Sequence, residues 1–77
     1  MRALITGISG FVGSHLADHL LALGGWSVAG TVWGGDRNIA HLRDKLTLYE
    51  GELSALERVQ EIIEDTRPDV FFHLAAQ

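Results

Sequence analysis

The sequence predicts an α/β fold in which a four-stranded parallel sheet, strand order 3-2-1-4, carries helices on both faces. Three observations predict it: short apolar runs without polar alternation, amphipathic segments between them, and Gly or Pro punctuation at the boundaries. With 77 residues, 47% of them hydrophobic and 21% charged, the chain is one domain at most and buries a core. Six Lys and Arg against ten Asp and Glu leave a net charge of −4, without the basic footprint that nucleic acid or an anionic membrane surface requires. The absence of Cys removes disulfides and thiolate metal sites, and only Ala3–Thr6 precedes the first glycine as an apolar run, too short for a leader peptide. These features predict a soluble cytoplasmic protein with no membrane span.

The elements follow in order. Ala3-Leu4-Ile5-Thr6 reads as a strand covered on both faces. From Phe11 to Leu23 the period becomes helical, with Phe11, Val12, Leu16, Leu20 and Leu23 as the expected buried stripe and Gly24-Gly25 as the stop. Trp26–Trp33, β-branched and aromatic between two glycine pairs, is the second strand. Asn38–Asp44 has the length of one or two helical turns, with Asn38 as N-cap. Leu46–Tyr49 is the third strand. Ser54-Ala55-Leu56-Glu57 is a capping box, opening a helix to about Thr66 with Leu56, Val59, Ile62 and Ile63 inward and Glu57, Glu61, Glu64 and Asp65 outward. Arg67-Pro68 ends that helix, because the residue before Pro resists the α region, and Val70–Leu74 is the fourth strand. Right-handed crossovers then give the stated strand order.

The segment that carries chemistry is Thr6-Gly7-Ile8-Ser9-Gly10-Phe11-Val12-Gly13, a G-x-x-G-x-x-G between a buried strand and a helix start. Gly7 lets the chain turn out of the strand, Gly10 offers no Cβ to obstruct a pyrophosphate, and Gly13 permits close helix packing. The amides around Gly10, Phe11 and Val12 lack intrahelical partners, so they suit a diphosphate without help from Lys or Arg. The motif lies in a βαβ unit of about 30 residues, the context that makes it a dinucleotide signature. An acid at the end of the second strand would bind the 2′-hydroxyl of NAD, but Trp33 stands there, and the nearest acid, Asp36, is followed by Arg37. Arg37 suits a 2′-phosphate, so the expected cofactor is NADP, with NAD as the alternative.

The strings TGISGFVGSHL (6–16), GEL (51–53) and RPDVFFHLAAQ (67–77) resemble the N-terminal part of the extended short-chain dehydrogenase/reductases, the NAD-dependent epimerases and dehydratases of nucleotide sugars. GTV (30–32), NIAHL (38–42) and HLAAQ (73–77) look most like the GDP-mannose 4,6-dehydratases and GDP-4-keto-6-deoxymannose reductases. The resemblance implies a Rossmann-type domain with Gly7, Ile8, Ser9, Gly10, Phe11, Val12 and Gly13 at the pyrophosphate. It also implies Glu52 at the adenine amino group, where the family usually has Asp, and Leu53 against the adenine ring. Leu74, Ala75, Ala76 and Gln77 would pass beneath the inner ribose. A nucleotide-sugar substrate and a homo-oligomer are implied for a full-length parent. The family's Tyr-x-x-x-Lys is absent, since the one Tyr, Tyr49, has no Lys four residues on; residues 1–77 therefore read as the cofactor half of an incomplete domain. A non-catalytic NADP-binding module and an inactive fragment are the alternatives. His15 and His19, four apart on a helix, lack a third ligand and read as no metal site, while Tyr49 and His73 read as structural.

Overall fold

The computed structural model describes residues 1–8, 10–32, 37–50 and 56–74, with the side chains of 37, 38, 56 and 57 left aside. Its elements are β1 (Arg2–Thr6), α1 (Phe11–Leu23), β2 (Ser27–Val32), a 3-10 segment (Arg37–Lys45), β3 (Leu46–Glu50), α2 (Leu56–Thr66) and β4 (Val70–His73). All strand pairs are parallel and the order is β3-β2-β1-β4, as the sequence predicts. Ala3 lies opposite both Val28 and Val70, and Ile5 opposite Gly30 and Phe72, so β1 is the central strand of the core.

Alternation along the strands divides that core into two layers. Ala3, Ile5, Val28 and Val32 meet Ala17 and Leu20 of α1, Ile8 of the following loop, and Ile39 and Leu42 of the 3-10 segment. Leu4 and Ala29 meet Ile62 of α2 on the other face, with Tyr49 and Ile63 packed beside them. Helical cover therefore lies on both sides of the sheet. At the amino end of β1, Arg2 N–H donates to the Asp69 carboxylate and Asp69 N–H donates to Arg2 O, both at 2.8 Å, which ties the approach of β4 to β1.

The inward face of α1 differs from the expected stripe. Phe11, Val12 and Leu23 are 73%, 63% and 61% exposed, while Gly13, Ser14, Ala17 and Leu20 are buried. The helix turns its smallest residues to the sheet because closeness, rather than apolar area, decides the face: a Cβ on Gly13 would lie 2.4 Å from Gly7 O. Asn38–Asp44 forms part of a longer 3-10 stretch, and β2 is described only as far as Val32, so Trp33 lies outside the described residues. The Ser54–Glu57 capping box also falls outside them. Arg67 ends α2 at φ 46°, in the left-handed region instead of the extended one expected before Pro, and its N–H still donates to Ile63 O at 2.8 Å.

Candidate functional site

The site is built from the β1–α1 loop upward. β1 delivers the chain to Gly7, whose φ of 72° turns it out of the sheet. Thr31 of β2 then holds the turn from both sides of its own residue: its Oγ1 accepts the Gly7 N–H at 3.0 Å and its carbonyl accepts the Ile8 N–H at 3.1 Å. The Ile8 side chain is fully buried, filling the space that Gly30 leaves, where a Cβ would lie 2.6 Å from Ile8 Cβ. Ile8 thus commits both its side chain and its N–H to the protein and anchors the loop.

Beyond Ile8, Gly10 N–H donates to Gly7 O at 3.0 Å, and Ser14 N–H donates to Gly10 O at 2.9 Å as the first helical bond. Gly10 is the N-cap, in extended conformation, with no side-chain cap and no acidic residue in the first turn of α1. The amides of Phe11, Val12 and Gly13 therefore open outward with the positive end of the helix dipole behind them. A Cβ on Gly13 would meet Gly7 O at 2.4 Å and Ile8 Cα at 2.8 Å, whereas one on Gly10 would stand 3.3 Å from Gly7 O. Gly13 serves the approach of α1 to the loop, and Gly10 keeps the mouth bare.

The carboxyl ends of β1 and β4 close beside this mouth. The buried Thr6 hydroxyl oxygen accepts the Leu74 N–H at 2.9 Å and lies 2.9 Å from His73 Nδ1, so Leu74 leaves β4 in a direction set by β1. His73 is otherwise exposed. Of the expected site residues, the structure brings together Gly7, Ile8, Gly10, Phe11, Val12 and Gly13 and places Leu74 next to them. Arg37 opens the 3-10 segment that follows β2. Ser9, Glu52, Leu53, Ala75, Ala76 and Gln77 lie outside the described residues. Gly30 and Thr31 entered the sequence reading within the GTV string but not as site residues; a glycine inside a β-branched strand is the signal of close backbone approach that points to them.

The other groups belong elsewhere. The Tyr49 hydroxyl donates to the Asp65 carboxylate on α2, and this bond, with burial adding to it, pushes the phenol above its ordinary value. Tyr49 thereby faces a cavity of about 310 Å³, lined also by Arg2, Ser27, Thr47 and Asp65, at the amino ends of the strands. The Tyr49 backbone itself pairs with Thr31 toward the loop end of the sheet, and its side chain reaches from there to Asp65. His15 Nδ1–H donates to Phe11 O at 2.9 Å, and no group of three metal-ligating side chains exists among the described residues. Nor is any helix among them long and apolar enough to cross a membrane.

The family model described as the NAD dependent epimerase/dehydratase family matches residues 3–77. The chain belongs to that family. A UDP-glucose 4-epimerase of Mycolicibacterium smegmatis is 37% identical over 82 residues, covering 100% of this chain and 26% of its own length. A GDP-mannose 4,6-dehydratase of Sordaria araneosa is also 37% identical, over 79 residues, covering 97% of this chain and 14% of that protein. Among solved structures, the Bordetella bronchiseptica enzyme WbmH in complex with NAD+ superposes with a TM-score of 0.85 at 34% identity, covering 99% of this chain and 26% of that one. The chain thus spans about a quarter of the first relatives it matches.

Proposed function

We propose that this chain is the cofactor-binding half of a nicotinamide-dinucleotide enzyme acting on nucleotide sugars. The observation that supports it is the mouth of the β1–α1 loop, with outward amides, a bare Gly10 and no competing side-chain cap or acid. A diphosphate fits this donor set because, among the described residues, the groups that open the helix start are N–H donors. The nicotinamide, when bound, accepts and returns a hydride. The chain's own residues bind and orient: Thr31 fixes the turn, Gly13 sets the helix, and Thr6 directs the end of β4.

For the parent reaction we favour a GDP-mannose 4,6-dehydratase type, carried by the 30–32, 38–42 and 73–77 resemblance and by the likeness to the Sordaria protein. The second reading, a UDP-sugar 4-epimerase, is favoured by the Mycolicibacterium relative at the same identity. On the cofactor, Arg37 supports NADP, while the NAD+ bound to WbmH supports the alternative. Titrating the chain with NADPH and NADH tests this reading: tighter NADPH binding that Arg37→Ala brings level with NADH supports NADP. Equal affinities in the unaltered chain reject the NADP preference, tighter NADH binding favours NAD, and no binding of either rejects the site.

A further inference from the structure

We propose that Asp18 and His41 form a positioning latch that holds the 3-10 segment, and with it the start of the segment carrying Arg37, at the adenosine side of the site; this rests on the cofactor reading above. His41 Nε2 lies 3.1 and 3.2 Å from the two Asp18 carboxylate oxygens, joining the 3-10 segment to α1 across 23 residues of sequence. Beneath the pair lies a buried attachment, Ile39 and Leu42, 0% and 5% exposed in the core under α1. At three residues per turn, positions three apart eclipse, so Ile39 and Leu42 form a single line of contact. Contact along one line does little by itself against rolling; His41 stands a third of a turn off that line, and its bond to Asp18 opposes the roll.

The consequence reaches the site through the backbone. Arg37 is four residues before His41, about 8 Å at the 3-10 rise of roughly 2 Å per residue, and no other regular element intervenes. The His41 ring nitrogen donates to the Asp18 carboxylate, an acceptor that strengthens the bond by its charge. The other charged or titratable groups on the elements packed here are His15 and His19 on α1, Arg37, Arg43, Asp44 and Lys45 on the segment itself, and Tyr49 and Glu50 on β3. His41 bonds to Asp18, and the exposure of both side chains, 59% and 49%, sets the effect at the modest size of a surface pair.

The test uses 2′-phospho-ADP-ribose, which carries the 2′-phosphate that Arg37 would meet and no nicotinamide, titrated into the full chain by calorimetry beside plain ADP-ribose. Asp18→Asn and His41→Gln are expected to weaken the 2′-phosphorylated ligand about two- to fivefold and to leave plain ADP-ribose nearly unchanged. The exchange variant Asp18→His/His41→Asp should restore the affinity, which a general loss of stability would not allow. His19→Gln, on the same helix, should change nothing. Unchanged affinity in Asp18→Asn and His41→Gln, or a loss that the exchange variant fails to recover, overturns the latch. Failure of the unaltered chain to bind ADP-ribose overturns the cofactor reading and the latch together.

Discussion

Replacing Gly13 with Ala adds one methyl group at the tightest contact of the candidate site. The new Cβ would lie 2.4 Å from Gly7 O, 2.8 Å from Ile8 Cα and 3.1 Å from Gly7 C, all backbone atoms that no rotamer change can move. Ordinary contact begins at 3.4 Å, so α1 and the loop must separate by about 1 Å. Overpacking of this kind costs about 1–3 kcal/mol, and the displaced loop also strains the Gly7–Thr31 bond at 3.0 Å. Ala is the better helix former by about 1 kcal/mol, so the net loss is the remainder. Urea unfolding with unchanged slope should show a lower midpoint, and ADP-ribose binding should weaken in parallel because the amides of 11–13 move with the helix. Gly24→Ala is the control: nothing lies within 4 Å of its Cβ, and its cost is the backbone strain of φ 79° alone, far from the loop. A Gly13→Ala midpoint and affinity equal to those of the unaltered chain would refute the close-approach argument.

Thr31→Val keeps the shape of the side chain and removes the acceptor of the Gly7 N–H; a loss of about 1–3 kcal/mol in urea unfolding is expected. Gly10→Val is expected to remain folded, since φ −74° and ψ 174° suit any residue and the nearest backbone atom is 3.3 Å away, yet to lose ADP-ribose binding because its methyls cover the amides. Tyr49 should titrate above the ordinary phenol value of about 10 by ultraviolet absorbance, and Asp65→Asn should bring it down. Because the folded value is raised, the stabilisation from this bond is fully present below the unfolded phenol's pKa and is lost as pH rises through the folded one.

The strand order was legible because it follows from local signals: apolar runs, glycine boundaries and the handedness of crossovers. What escaped depends on close approach between segments distant in sequence. The apolar period of α1 pointed to Leu16 and Leu20, which do pack on the core, and equally to Phe11, Val12 and Leu23, which stay exposed; the contact of Gly13 with the loop brings Ala17 to the sheet instead. Ile8 and Gly30 illustrate the same physics, a missing Cβ on one strand receiving a side chain from a loop 22 residues earlier. The glycines of the site were readable individually, whereas Thr31, which orients them through one hydroxyl and one carbonyl, carries no motif. At Arg67 the local rule before Pro yields to the helix end, where a left-handed residue keeps its bond to Ile63.

The central claim is that the amides opening α1 receive a diphosphate. Amide shifts of the uniformly 15N-labelled chain, followed as ADP-ribose is added, test it most directly. The account predicts saturable, downfield movement concentrated at Phe11, Val12 and Gly13, with Gly7, Ile8 and Gly10 steadier because their N–H groups are already given to Thr31 and to Gly7 O. Shifts confined to other segments, such as the cavity around Tyr49 and Asp65, or none at saturating ligand, would contradict it.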